Sequence, residues 1–136
     1  MDEVTLARRG TEFHGGLNFR MQPIREMTLD PFQAPNAEGA ARNPAWCLAS
    51  GFFDGNLNRV EITIFEKTTN PCYPGDVIQY PDLPWIQPTF PDVKARYLLK
   101  KGETLTLEYR FWIHENEMDN AARTRMWEAF QNDAVE

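Results

Sequence analysis

The sequence predicts an all-β fold, an antiparallel β-sandwich with one C-terminal amphipathic helix. Three observations support this fold class. Apolar and polar residues alternate in several segments, which is the period of a β-strand. Turn sequences such as Asp54-Gly55-Asn56 separate these segments at short intervals. Apolar residues recur at every fourth position near the C-terminus, which is typical of one helix. Strands joined by short turns indicate antiparallel pairing.

The composition limits the kind of protein. A chain of 136 residues that is 42% hydrophobic and 25% charged is typical of one globular domain, residues 1–136. The net charge of −6, without a Lys/Arg run, argues against nucleic acid or an anionic membrane as a partner. No apolar run reaches the roughly 20 residues that span a bilayer. Because the first residues do not form a signal peptide, we expect a cytoplasmic protein or a piece of a longer one that has lost its start.

The strands are expected in a sheet region at residues 11–115. Residues 17–22 alternate apolar and polar side chains, and residues 60–64 do the same. The Asp-Gly-Asn turn predicts a hairpin between the segments on either side of it. A second turn, at residues 100–103, is expected to join a strand at 95–99 to the last strand.

The last predicted strand runs from Thr104 to His114. Its odd-numbered positions from Leu105 to Ile113 are apolar or aromatic, and they are expected to face the core. The opposite row consists of Glu108, Arg110, Trp112 and His114. Because a plain solvent face rarely holds Trp and His beside an ion pair, this row predicts a face that can bind a ligand.

The C-terminal segment predicts a helix over residues 117–131. Its apolar positions are Met118, Ala122, Met126 and Phe130, with Trp127 beside them. We expect these side chains to pack against a sheet, with Asn116 or Asp119 as the N-cap.

Two stretches do not follow the strand pattern. Residues 30–44 indicate an irregular loop. Residues 70–91 contain six prolines interleaved with Tyr, Trp and Phe, and proline cannot donate a ladder hydrogen bond, so no central strand is expected there. The aromatic residues argue for an ordered loop. This loop is expected to cover one end of the sandwich or to form one wall of a binding site.

Residues with distinctive chemistry form no known catalytic pattern. Cys47 and Cys72 lack a paired spacing and are expected to be free thiols, with a disulfide between them as the alternative. His14 and His114 lie a hundred residues apart, so the metal signal is weak. Ser50 lies in an apolar strand without a nucleophile elbow. We therefore expect no metal and no cofactor.

The first strand carries a polar row of its own, formed by Asn18, Arg20 and Gln22. If this row and that of the last strand coincide, one face would hold guanidinium, carboxylate, imidazole and aromatic groups. This combination suits a polyhydroxylated ligand, because hydroxyls need many hydrogen bonds and sugar C–H faces stack on aromatic rings. The alternative is a solvated face that binds nothing.

Several short segments follow one another in an order that indicates a family. They include His14-Gly15-Gly16-Leu17-Asn18-Phe19-Arg20, Pro44-Ala45-Trp46, Thr69-Asn70-Pro71 and Lys101-Gly102-Glu103-Thr104-Leu105. In these segments the chain resembles the C-terminal half of a bacterial family labelled methane oxygenase PmoA. The resemblance covers residues 11–115. It implies a complete or partial β-sandwich that is similar to the galactose-mutarotase and sugar-binding sandwiches.

The chain keeps some positions of this pattern and departs from others. The positions that match are Gly16, Arg20, Glu38, Trp46 and Asn70. The family tends to have Asp-His-Pro followed by Trp-His-x-Arg. The corresponding residues of this chain, 66–68 and 75–78, contain no histidine and no arginine. The resemblance therefore implies the fold more strongly than it implies a shared catalytic site.

These observations together predict a domain that binds or processes a carbohydrate on the polar face of a β-sandwich. The candidate binding residues are Asn18, Arg20, Trp46, Arg110 and Trp112, and the candidate acid–base residues are His114 and Glu108. The alternative is a non-catalytic or truncated structural module. Its open sheet edges would favour a homo-oligomer or pairing with a missing N-terminal half.

Overall fold

A computed structural model describes residues 4–7, 15–30, 45–79, 83–92 and 95–133 of the chain. In these residues nine strands form three antiparallel sheets, and one helix follows them, so the all-β prediction is confirmed. The elements are β1 (Val4–Ala7), β2 (Phe19–Arg20), β3 (Ile24–Asp30), β4 (Trp46–Phe53), β5 (Val60–Glu66), β6 (Val77–Gln79), β7 (Trp85–Pro88), β8 (Arg96–Leu99), β9 (Tyr109–Glu115) and α1 (Asn120–Asn132).

The largest sheet has the strand order β3-β4-β5-β9. Its centre is the predicted hairpin of β4 and β5, in which Trp46 pairs with Phe65 and Gly51 with Val60. The turn between them places Gly55 at φ +83°, a conformation that favours glycine. Residues 46–51 and 60–65 are all buried, so this sheet is covered on both faces.

One face of the large sheet packs against a second sheet, of order β2-β7-β6. Buried side chains from both sheets form the core between them: Cys47, Ala49, Ile64, Val77 and Ile86. Phe19 packs against this core, and its ring centre lies 4.7 Å from that of Phe111 at the edge of the core. The architecture is therefore sandwich-like.

The other face of the large sheet is covered by α1. Trp46, Leu48 and Phe65 form a buried cluster with Phe130 of the helix, and Met126 and Trp127 pack against this cluster. The predicted helix is thus confirmed with most of its apolar side, although it begins at Asn120 and leaves Met118 before its first turn.

Both ends of α1 are capped. Asp119 is the N-cap, as one of the two predicted candidates, and its Oδ1 accepts a hydrogen bond from the Ala122 N–H at 2.6 Å. At the C-terminal end, the ammonium group of the buried Lys67 donates to the carbonyls of Phe130 and Asp133, at 2.7 and 2.8 Å. The helix is therefore fixed to the end of β5.

The proline-rich stretch contradicts the prediction of a loop without a central strand. It contains β6 and β7, and β7 is the central strand of its sheet. The prolines permit this because β6 contains none and Pro88 is the last residue of β7. Each strand is short enough to fit between prolines.

The prediction for the end of the sheet region was also wrong in part. The turn at residues 100–103 forms, with Gly102 at φ +85°, but β8 pairs with β1 and not with the last strand. That strand begins at Tyr109 rather than Thr104. The turn therefore leads from one sheet into another.

Three further predictions have different outcomes. Both cysteines are free, as predicted, with Cys47 buried and Cys72 exposed. The irregular loop at 30–44 lies almost entirely outside the described residues, and so do His14 and Glu38. In the described part of the chain, no helix has the length and apolar character needed to cross a membrane.

Candidate functional site

The two polar rows predicted from the sequence do not share a face. Phe19 of β2 and Phe111 of β9 meet at the edge of the core between the two sheets. Because side chains alternate along a strand, Arg20 and Trp112 point away from that core on opposite sides of the sandwich. The two rows therefore do not form the single face on which the predicted set of ligand-binding groups depended.

The odd-numbered side of β9 faces the second sheet, as predicted, and Tyr109 packs against the core there, but β9 is the edge strand and the rest of this side is partly exposed. On the expected core side, Phe111 is 37% exposed and Ile113 is 57% exposed. On the expected ligand side, Trp112 stacks on Phe65 with ring centres 6.3 Å apart, beneath the helix. Since α1 covers this side, the row of β9 belongs to the interface between sheet and helix.

Three predicted binding residues have packing roles at this interface. Trp46 is buried in the cluster that α1 covers, and Trp112 packs against the same cluster. The Arg110 guanidinium lies 4.6 Å from the centre of the Phe130 ring and forms an ion pair with Asp133 beyond the end of the helix. These contacts hold the helix in place and leave no open aromatic surface at these positions.

His114 joins a buried polar cluster in the same interface. Glu61, only 1% exposed, accepts hydrogen bonds from Arg123 Nε at 2.9 Å and Nη2 at 2.5 Å. Thr63 donates to Glu61 Oε1 at 3.2 Å. His114 Nε2 lies 3.3 Å from the same oxygen, and its ring is tilted against Trp112 with centres 4.5 Å apart.

The charge of this cluster is compensated internally. Burial acts to raise the pKa of Glu61, but the hydrogen bonds and charge of Arg123 outweigh it and lower that pKa, with smaller contributions from Thr63 and His114. The carboxylate is therefore ionised and paired. His114 lies beside an ion pair between sheet and helix, not in an open groove.

Glu108, the second predicted acid–base residue, lies far from His114 along the direction of the strand. Six residues of extended chain span roughly 20 Å, too far for both side chains to act on one reacting group. The main chain of Glu108 is held by Asn70, whose Oδ1 accepts from its N–H at 2.8 Å and whose Nδ2 donates to its C=O at 2.9 Å. The predicted pair is not brought together.

The polar row of β2 is exposed, as predicted, and one of its members lines a groove. The Arg20 guanidinium carbon lies 4.8 Å from the centre of the Trp85 ring, and these two residues are paired across β2 and β7. Met21, Leu83 and Pro84 complete the groove. Arg20 forms no ion pair with any residue that the structure describes, so its donors face solvent.

Trp85 is a site residue that sequence reasoning missed. It was visible only as one aromatic residue in the proline-rich stretch. Its place opposite Arg20 depends on the pairing of β2 with β7, which are separated by more than sixty residues of sequence. Short strands that pair over such distances leave no periodic signal.

The residues that carry the family resemblance differ in what they do. Gly16, at φ +77°, approaches the main chain of residues 88–90 so closely that a Cβ would lie 2.5 Å from it. Asn70 clamps the start of β9, and Trp46 is in the core. Arg20 is the described member whose polar group is not used by the fold. This difference singles out Arg20 as a candidate for ligand binding.

No set of three or more His, Cys, Asp and Glu side chains in the described ranges is arranged to hold a metal ion.

Comparisons with known proteins give a family without an assigned activity. Neither the curated proteins nor the solved structures include a match to the chain. The model of DUF6807, a family of unknown function, matches residues 1–128, which is nearly the whole sequence. The chain therefore belongs to the DUF6807 family.

Proposed function

We propose that the protein binds a carbohydrate in the groove formed by Arg20 and Trp85. The observation that carries this proposal is an exposed guanidinium, without an ion-pair partner in the described residues, lying 4.8 Å from an indole ring. The groove has a volume of about 260 Å³, slightly below the roughly 300–1,000 Å³ of typical small-molecule sites, so it suits a small ligand. The proposal keeps the predicted ligand class but moves the site to the outer face of the three-stranded sheet β2-β7-β6.

The chemistry of the groove suits a sugar ring. A guanidinium offers several donors in one plane, which can bind adjacent hydroxyls or a carboxylate. Leu83, 45% exposed, and Pro84 offer apolar surface beside it for the C–H face of a ring. The resemblance to a mutarotase-like sandwich and to the PmoA-labelled family points to the same class of ligand, and both stay predictions.

Intrinsic tryptophan fluorescence tests this proposal. We expect neutral and uronic-acid oligosaccharides from a broad panel to change the emission, because Trp85 lines the groove. Arg20→Ala should abolish the change, while Arg20→Lys should retain part of it. The matched control is Arg25→Ala, which removes another exposed arginine that lies 5.9 Å from an aromatic ring, that of Phe52.

Two results would contradict the proposal. One is a complete lack of response to the whole panel by the unaltered protein. The other is an equal loss in Arg20→Ala and Arg25→Ala, since that would indicate a nonspecific effect of charge.

A structural or assembly module is the second candidate, and one observation favours it. β9 is the last strand of its sheet and pairs only with β5 in the described part of the chain. Beside this edge Ile113 is 57% exposed. An apolar residue next to unpaired main-chain groups is a typical place for another strand or another copy to pair.

A further inference from the structure

The groove formed by Arg20 and Trp85 carries a charge that no described carboxylate neutralises. Arg59, Arg110 and Arg123 each form an ion pair with a carboxylate of the described chain. Arg20 is exposed and forms none in the described ranges, although the chain has twenty Asp and Glu residues and a net charge of −6. In a protein of this charge, an unpaired cation at the rim of a groove is available to an anionic ligand.

The side chains that line this groove offer hydrogen-bond donors and no strong acceptor. Beside the Arg20 guanidinium they are Met21, Leu83, Pro84 and Trp85. An indole only donates, a thioether accepts weakly, and the aliphatic side chains have no polar atom. The Met21 N–H already donates to the Pro84 carbonyl at 2.8 Å. The hydroxyls of a neutral sugar both donate and accept, whereas a carboxylate only accepts and therefore matches these side chains better.

The indole of Trp85 does not offer a stacking surface for a sugar. Trp85 is only 9% exposed, and the Arg20 guanidinium carbon lies 4.8 Å from the centre of its ring. The ring attracts the cation and restricts its position before a ligand binds. A guanidinium held in this way loses less conformational freedom on binding, and its planar fork matches the two oxygens of a carboxylate.

We propose that the groove selects acidic sugars, an inference that rests on the carbohydrate site proposed above. The carboxylate of a uronic acid binds Arg20, and the C–H groups of its ring contact Leu83 and Pro84. Leu83 is 45% exposed, so apolar surface lies open beside the charge. The volume of about 260 Å³ suits one sugar ring, either a free uronic acid or the terminal residue of a chain.

NMR titrations of the ¹⁵N-labelled protein with matched ligands test this selectivity. Glucuronate, galacturonate and mannuronate are each compared with their methyl ester and with the parent hexose, at one ionic strength. At least one uronate should bind roughly tenfold or more tightly than its ester and its hexose, because a charge-assisted hydrogen bond is lost in both. The corresponding oligouronates show whether the free acid or the end of a chain is preferred.

Variants of Arg20 decide whether its charge sets the preference. Arg20→Gln keeps a polar side chain without the charge, so the uronate and its methyl ester should bind with nearly equal affinity. Arg20→Lys keeps the charge without the planar fork and should retain part of the preference. The matched control Arg25→Gln removes another exposed arginine and should leave the ratio of the two affinities unchanged. Far-UV circular dichroism checks the fold of each variant.

Different results would overturn the selectivity and the carbohydrate site itself. Equal affinity of the unaltered protein for a uronate, its ester and its hexose would overturn the selectivity and leave carbohydrate binding standing. A preference for the uronate that survives in folded Arg20→Gln would exclude Arg20 as its cause. Acetate that binds as tightly as every uronate would show an anion site in which the sugar ring has no role, and would overturn both. The absence of binding by all of these sugars would do the same.

Discussion

Glu61 and Glu66, two glutamates of one strand, are held in opposite electrostatic environments. They lie on opposite faces of β5, one under the helix and one in a narrow cleft between the sheets. Glu61 has its pKa lowered, because Arg123 outweighs the effect of burial. Glu66 has its pKa raised, because burial is not compensated. The same residue type therefore contributes to stability with opposite dependence on pH.

The pH dependence of unfolding should separate the two carboxyls. The contribution of Glu61 is present above the ordinary carboxyl pKa of 4.5 and is lost as pH falls through its lowered native value. The contribution of Glu66 is present below 4.5 and is lost as pH rises through its raised native value. In urea unfolding, Glu66→Gln should thus gain stability relative to the unaltered protein from acid to neutral pH, while Glu61→Gln should lose it.

This prediction has a control variant, and one result would contradict it. Glu128→Gln, which removes an exposed carboxyl, should follow the unaltered protein at every pH. Parallel curves for the two β5 variants would mean that the environments of the two carboxyls do not differ as described.

The sequence could not distinguish these two glutamates. In the segment V-E-I-T-I-F-E, alternation predicts one apolar and one polar side, with Glu61 and Thr63 outward. Both are buried instead, because α1 covers that side. A helix that packs from a distant part of the chain is not visible in the period of a strand.

The docking of α1 depends on charged groups as well as on its apolar side. The predicted stripe is in contact with the sheet, but Arg123, which is not part of that stripe, is also buried. The helix was predictable because its period persists over several turns. β6 and β7 were not, because strands of three and four residues are too short to show a period.

Removing one partner of the buried ion pair should loosen the helix. Arg123→Met leaves Glu61 buried and unpaired, and we expect it to lower the free energy of unfolding by about 3–5 kcal/mol. The double variant Glu61→Leu/Arg123→Met should recover most of that loss, because no charge is then left in the interface. Urea unfolding monitored by far-UV circular dichroism measures both, and the coupling follows from the cycle.

The exposed Arg125 of the same helix is the control. Arg125→Met should change the free energy of unfolding by less than about 0.5 kcal/mol. Equal destabilisation in the single and double variants would show that the pair is not what fixes the helix.

The three-stranded sheet, the four-stranded sheet and the helix form three layers, and β1 and β8 pair in a separate two-stranded sheet. The central layer is covered on both faces, but its edge at β9 is not covered by any described strand. The fold class was predictable because alternation and turn sequences are local signals. The order of strands in the sheets was not, since it is decided by contacts between distant segments, as the pairing of β1 with β8 illustrates.

If the edge at β9 is an assembly surface, the protein should self-associate. Light scattering after size-exclusion chromatography should then give more than the monomer mass of 15.8 kDa. Ile113→Lys should shift the equilibrium to the monomer, because a charge on an edge opposes strand pairing. Leu57→Lys, at a 94% exposed turn position away from this edge, should not. A monodisperse monomer at all concentrations would exclude this role.

Burial of both faces of β4 has a consequence for how the chain finds its correct pairing. In most antiparallel sheets a slip by one residue would turn apolar side chains to solvent, and the pattern itself prevents it. In β4 the run from Trp46 to Ala49 would stay buried after such a slip. The polar contacts must therefore select the alignment. Ser50 Oγ lies 2.8 Å from Thr28 Oγ1 of β3 and accepts a hydrogen bond from Arg59 Nη1 at 3.2 Å, and a slip of β4 by one residue would break both contacts.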